Sequence, residues 1–234
     1  MKLTIHPQSL WLAYDMRRIA DVQSMLPSHL RVAPVRLLES DVFAKPRLLM
    51  NCYDVSSRWM TGSRIEVQTF VEDKETKTVH LCILDCITNT MQWDPLEGVK
   101  GPNAIRREKL LRRPFSIARP GETFSMHFST TERDPNQRTP LLSVEGTLAE
   151  TEERPTSSFV VDANRVCYFH HMDTRFPMEF EEEEVQAPVR RLSHLKLDNQ
   201  LWRSYRGSRW PSHAFVHPHS MTFRVEVPGL WYDL

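Results

Sequence analysis

The sequence predicts a mainly β domain of the α+β class, in which antiparallel strands form a closed or nearly closed barrel accompanied by a few short helices. Two observations carry this. Among the 234 residues, sixteen prolines but only seven glycines punctuate short runs rich in β-branched and aromatic residues, a composition that breaks long helices. Polar turn clusters separate those runs at the spacing of strands rather than of helix–strand alternation. A chain of this length buries one substantial core, so residues 1–234 are expected to form a single domain.

Taken in order, residues 9–14 read as a strand, followed by a short helix that Asp21 caps, that runs through Val22, Met25 and Leu26, and that Pro27 stops. Strand-type segments follow at 32–38, 47–53, 64–72 and 79–86, with Asp73-Lys74-Glu75-Thr76-Lys77 as a hairpin loop between the last two. Residues 88–103 carry Asn89, Pro95, Gly98, Gly101 and Pro102, the signs of a long irregular loop of the kind kept for function. A second helix is expected over 104–112, ended by Arg113-Pro114. Beyond it 123–130, 141–149, 166–171, 174–180 and 221–227 alternate as strands, for roughly ten strands and two or three helices in all.

Thirty basic against thirty acidic side chains give no net charge, which removes any global attraction to nucleic acid or to an anionic membrane. No apolar run is long enough to span a bilayer, and the opening Met1-Lys2-Leu3-Thr4-Ile5-His6-Pro7 lacks a secretory core, so a cytoplasmic setting is expected. Cys52, Cys82, Cys86 and Cys167 are too scattered for a disulfide framework. Cys82 and Cys86, four apart on one strand, are expected on the same face as small core residues rather than as half of a zinc site. No G-x-G-x-x-G and no P-loop occurs, so no nucleotide cofactor is implied.

From Trp11 to Leu111 a set of features falls in one order. An opening strand and helix lead into Met25-Leu26-Pro27-Ser28-His29-Leu30 and Ala33-Pro34-Val35, and an acidic strand follows, Arg64-Ile65-Glu66-Val67-Gln68. A return strand, His80-Leu81-Cys82-Ile83-Leu84-Asp85, precedes a loop into Gly101 and, eight residues on, Lys109-Leu110-Leu111. This order, over nearly half the chain, resembles the acetoacetate decarboxylase-like superfamily. The resemblance implies a β-barrel around a small-molecule site, no cofactor, and Lys109 as the Schiff-base nucleophile. Two departures stand out: Leu110 where the family's second lysine is expected, and His6-Pro7 near the expected N-terminal arginine. The resemblance therefore implies the fold more strongly than the decarboxylase activity.

A lysine that forms an iminium must be neutral to attack, so burial or a neighbouring cation has to lower its pKa. If 104–112 is helical, Arg106, Arg112 and Arg113 lie within a turn of Lys109 and can replace the missing lysine; the same residues also make an ordinary solvated basic face. Glu66 sits mid-strand in a segment suited to burial and shares a face with Gln68 and Phe70, which suits an acid/base or a positioning group. Its alternative is an exposed carboxylate paired with Arg64 or Lys77. Arg106, Arg64 and Gln68 are the candidate substrate contacts, joined by Trp59 and Trp93 in two loops that also carry methionines and can wall an apolar pocket or merely cover a barrel end. His170, His171, His213, His217 and His219 form a competing metal constellation, but their spacing fits no helical ligand motif and no metal is expected. With no G-x-S-x-G elbow, a serine hydrolase is disfavoured.

The expected function is a cofactor-independent lyase acting on a small or polyketide-like oxo acid, with Lys109 as nucleophile, Glu66 as acid/base and Arg106 as carboxylate or pKa partner. The alternatives are a non-catalytic small-molecule-binding barrel and an aldol, dehydratase or cyclase relative. Partners are expected to be a small molecule and, compatibly, further copies of the chain, with no nucleic acid and no membrane.

Overall fold

The computed structural model describes residues 2–58, 61–89, 106–107, 122–134, 137–156, 166–169, 175–180 and 187–225. The chain opens with strand β1 (Lys2–Ile5), strand β2 (Ser9–Asp15) and the one α-helix of the described residues, α1 (Ile19–Met25). Two short strands, β3 (Leu30–Val32) and β4 (Pro34–Val35), lead into the long β5 (Lys45–Ser56), β6 (Thr61–Asp73) and β7 (Val79–Thr88). Then come β8 (Arg106–Arg107), β9 (Thr123–Asp134), β10 (Gln137–Glu153), β11 (Val166–Phe169) and β12 (Arg175–Phe180). The last three are β13 (Val189–Asn199), β14 (His213–His217) and β15 (Met221–Val225). All join one 15-stranded sheet, ordered β3-β6-β7-β11-β12-β15-β1-β5-β2-β14-β13-β10-β9 with β5 also bonded to β6. The pairings are antiparallel except for β7 with β8 and with β11.

β5, β6 and β7 form the consecutive antiparallel meander that their alternation predicts. Their connection at 73–77 is a turn, closed by the Asp73 carboxylate, which accepts from the Glu75 and Thr76 amides at 2.8 and 3.1 Å. These strands are buried on both faces, not one. Leu48, Met50, Cys52, Ile65, Val67, Cys82 and Leu84 point into the largest core. The other face sends Leu49, Phe70 and Leu81 into a second cluster and Tyr53 and Val55 into a third.

Several local expectations are corrected. Asp21 lies inside the first turn of α1, where its charge suits the helix dipole and pairs with Arg18; Arg18 holds the cap position without a side-chain bond. The strand expected over 32–38 divides into β3 and β4 because Pro34 has no N–H for a ladder, while the Leu37 and Leu38 amides turn to the Asp41 carboxylate at 2.8 and 3.3 Å. Arg106 and Arg107 extend beside Ile87 and Thr88 as β8, so the helix expected over 104–112 does not hold at those two residues. β1, β13 and β14 had no counterpart among the expected strands. In β13 the register against β10 shifts at 145/147 and 148/152 and His194 has a positive φ of 50°, so its hydrophobic alternation is broken. Among the described residues no helix is long and apolar enough to cross a membrane.

A bulge in β7 corrects the cysteine expectation. Gln68 pairs with Ile83 but Val67 pairs with Asp85, which leaves Leu84 as the extra residue. Every side chain beyond it changes face. Cys82 therefore packs in the largest core, whereas Cys86 lies opposite Glu66 on the other side.

Candidate active site

Alternation along β6 places Arg64, Glu66 and Gln68 on one side of the strand, and the burial of that side turns them into a connected group. All three are buried, with exposures of 3%, 5% and 2%. Among the described residues the Glu66 carboxylate accepts three hydrogen bonds. Oε1 receives the Tyr53 hydroxyl at 2.6 Å and Arg64 Nε at 3.1 Å, and Oε2 receives Gln68 Nε2 at 2.6 Å. Arg64 also donates from Nη2 to Cys86 Sγ at 3.2 Å, a contact that exists because the bulge turned Cys86 to this face. Burial, and after it the charge of Glu66, pushes the Tyr53 phenol well above its usual range, so Tyr53 remains a donor.

Across the β5–β6 ladder Asn51 stands directly opposite Glu66, and across the β2–β5 ladder it stands opposite Trp11, with Ser9 two residues before Trp11 on the same side. Asn51 Oδ1, Gln68 Oε1 and Ser9 Oγ are buried and have no hydrogen-bond partner among the described residues. A buried polar atom without a partner costs about 1–3 kcal/mol. Two of them beside one held carboxylate, with Ser9 farther along the same side, describe a face prepared for a hydrogen-bonding occupant. Two of the three are carbonyl oxygens, so the occupant they suit carries N–H or O–H groups.

The expected candidates divide as follows. Glu66, Arg64 and Gln68 are brought together, and the pairing of Glu66 with Arg64 is buried rather than exposed. Arg106 lies in β8, hydrogen-bonded to the far side of β7 from β6 only in its backbone register with Ile87. Lys109, Trp59 and Trp93 lie outside the described residues, as do His170 and His171. Tyr53, Asn51, Ser9 and Cys86 were not among the candidates. Asn51 and Tyr53 carry the only available signal, two polar-capable side chains at alternate positions of the run Leu48-Leu49-Met50-Asn51-Cys52-Tyr53.

The C-terminal histidines have other occupations. His213 Nε2 meets Asp41 Oδ1 at 2.7 Å, while Ser212 Oγ stands 3.2 Å from His213 Nδ1. This resembles a Ser–His–Asp relay, but Ser212 donates to the Ala13 carbonyl at 3.0 Å and accepts from Arg47 at 2.6 Å, so the histidine is not the acceptor of its proton. The cluster ties β14 to β5 and to the loop at Asp41. His217 Nδ1 lies 3.1 Å from the His219 carbonyl. Among the described residues no three His, Cys, Asp or Glu side chains are grouped to share a metal ion.

No family model and no curated protein matches the sequence. Solved structures do. The enduracididine biosynthesis enzyme MppR with HEPES bound superposes with a TM-score of 0.57 at 11% identity, over 97% of this chain and 86% of that one. MppR complexed with the condensation product of pyruvate and imidazole 4-carboxaldehyde gives 0.54 at 10% identity, over 96% and 86%. An acetoacetate decarboxylase-like enzyme from Sphingomonas wittichii RW1 gives 0.51 at 9%, over 96% and 90%. Acetoacetate decarboxylase from Legionella pneumophila gives 0.51 at 8%, over 96% and 84%. The chain thus has a fold similar to that of the acetoacetate decarboxylase-like proteins.

Proposed function

We propose that the protein is a cofactor-independent carbon–carbon lyase that binds a small or polyketide-like oxo acid against the Glu66 face and processes it through a Schiff base on Lys109. The observation that carries the reading is the group on β6, in which Glu66 is held by Tyr53, Arg64 and Gln68 beside two unfilled polar atoms. Carbonyl acceptors and a carboxylate suit the cationic iminium. The strand pairings support a barrel around this face, since β5 is bonded to β6 and to β1, and the partners of β6 lead through β7, β11, β12 and β15 back to β1.

In the proposed reaction the Lys109 amine adds to the substrate ketone and water leaves, giving the iminium. The bond to the carboxylate breaks, carbon dioxide departs, and the electron pair neutralises the iminium as an enamine. A proton from an acid, for which Glu66 Oε2, with one donor among the described residues, is the candidate, then reaches the enamine carbon, and water releases the ketone and the amine. If the enamine attacks an aldehyde instead, the same lysine makes an aldol product. The MppR complex with a pyruvate–aldehyde condensation product supports that variant. The ligand is a small molecule, with no cofactor required, and the expected setting is the cytoplasm.

Borohydride reduction in the presence of acetoacetate, pyruvate or a methyl ketone tests this. Irreversible trapping on the peptide containing Lys109, lost in Lys109→Ala, is expected, with Lys100 as the near rival. No reducible adduct at Lys109 at any pH from about 6 to about 10, a range that spans neutral to free-lysine titration, rejects the Schiff base. Leu110, in place of the second lysine, favours a second reading as a binding protein without chemistry. Ligand-induced stabilisation without an adduct distinguishes it.

A further inference from the structure

The end of β13 and the chain leading toward β14 enclose a pocket of about 300 Å³. Arg17, Arg203, Arg206 and Arg209 line it with Gly207, and among the described residues the only acid in the lining is Asp198, whose Oδ1 accepts from Gln200 Nε2 at 2.6 Å. Its frame is firmly built. The Arg17 amide donates to the Tyr205 carbonyl at 2.8 Å, Arg206 bridges to Met16, and the Gly207 amide donates to the Asp15 carbonyl at 2.7 Å. A Cβ on Gly207 would lie 2.9 Å from that same backbone oxygen, so only glycine permits this approach.

A row of arginines is ordinarily a solvated basic surface, and Arg17, Arg203 and Arg209 alone would be read so. Arg206 is different. It is 5% exposed and lies over the Tyr14 ring at 4.8 Å. It donates from Nη2 to the Asn199 carbonyl at 2.9 Å, and Tyr14 and Asn199 are themselves joined at 3.0 Å. Its Nε has no hydrogen-bond partner and no carboxylate pairs with it among the described residues. A buried guanidinium that meets only neutral groups lacks the counter-ion that normally offsets its desolvation, and its planar fork matches phosphate or carboxylate oxygens. Because the pocket is concave and the chain carries no net charge, the fit is to a compact anion rather than to an extended polyanion.

We propose that this pocket binds a phosphorylated small molecule, a phosphate monoester or a diphosphate, whose oxygens are held by Arg206 with Arg17 and Arg203.

Titration calorimetry on the full chain, at constant ionic strength, tests it with inorganic phosphate, pyrophosphate and glucose 6-phosphate, and with acetate as the control anion. Saturable binding of one phosphate probe per chain is expected, and comparison of pyrophosphate with glucose 6-phosphate separates a diphosphate from a monoester site. Arg206→Met removes the buried fork but can unfold the loop. The exposed variants Arg17→Glu and Arg203→Glu therefore carry the test, and each should lower the affinity by about ten-fold or more. Absence of saturable binding by all three phosphate probes overturns the proposal, as does binding that neither exposed variant weakens. A DNA duplex that binds more tightly than pyrophosphate, with the same sensitivity to the variants, would assign the patch to polyanions and also overturn it.

Discussion

Replacing Glu66 with glutamine keeps the volume and removes the charge, and the structure sets how much that should cost. The carboxylate serves Tyr53 and Arg64 through Oε1 and Gln68 through Oε2. In Glu66→Gln the amide oxygen can keep Tyr53 and Arg64, but the new nitrogen then faces Gln68 Nε2, donor against donor. Gln68 has a remedy, because its own Oε1 has no partner among the described residues and a half-turn of its amide presents that atom to the new donor. The charge of Arg64, buried at 3% exposure, loses the carboxylate it is paired with. Removing one partner of a buried ion pair costs about 3–5 kcal/mol, and the recovered amide bond returns about 1 kcal/mol, leaving about 2–4 kcal/mol. With a urea m-value of about 2 kcal/mol/M this moves the midpoint down by about 1–2 M. Urea unfolding followed by circular dichroism measures it, with Arg64→Met and the double variant completing a cycle. The double variant should be less destabilised than the sum of the singles by at least about 1 kcal/mol. A loss below about 1 kcal/mol, or strict additivity, refutes the pairing described here.

Two further outcomes follow from neighbouring groups. Tyr53→Phe deletes a hydrogen bond to a buried carboxylate and should cost about 1.5–3 kcal/mol; an unchanged denaturation midpoint would show that the bond contributes nothing. His213 is predicted to make the fold acid-sensitive. Burial disfavours its imidazolium and outweighs the attraction of Asp41, with Arg47 and Arg191 adding repulsion, so its folded pKa lies below the ordinary value of 6.5. The unfolded chain then takes up the proton first, and stability declines as pH falls through that ordinary value toward the folded one. Burial of Asp41 is outweighed by the Leu37 and Leu38 amides and the charges of His213 and Arg47, so its carboxyl titrates below 3.8 and adds a separate loss only in stronger acid. His213→Gln should flatten the decline between about pH 7 and pH 5, the interval of histidine titration; the same slope in the variant would reject the assignment.

What the sequence determined by itself is what alternation and turn chemistry can carry. The meander of β5, β6 and β7 with its turn at Asp73 was legible because period-two burial and an Asx turn are local properties. For the same reason Arg64, Glu66 and Gln68 were legible as one side of one strand. The pocket at Arg206 was not, since its residues come from the chain after β2, the end of β13 and the loop after β13, and only their docking shows that one arginine is buried and has no counter-ion among the described residues. Tertiary structure also decided which neighbours Glu66 has. Tyr53 and Asn51 reach it through the register of β5 on β6, and Cys86 faces it because Leu84 is the bulged residue. No local preference in Leu84-Asp85-Cys86 says which residue is extra. The choice falls to the pairing of β7 with β6, because burial on both faces requires Cys82 and Leu84 in the largest core and still leaves Cys86 opposite Glu66.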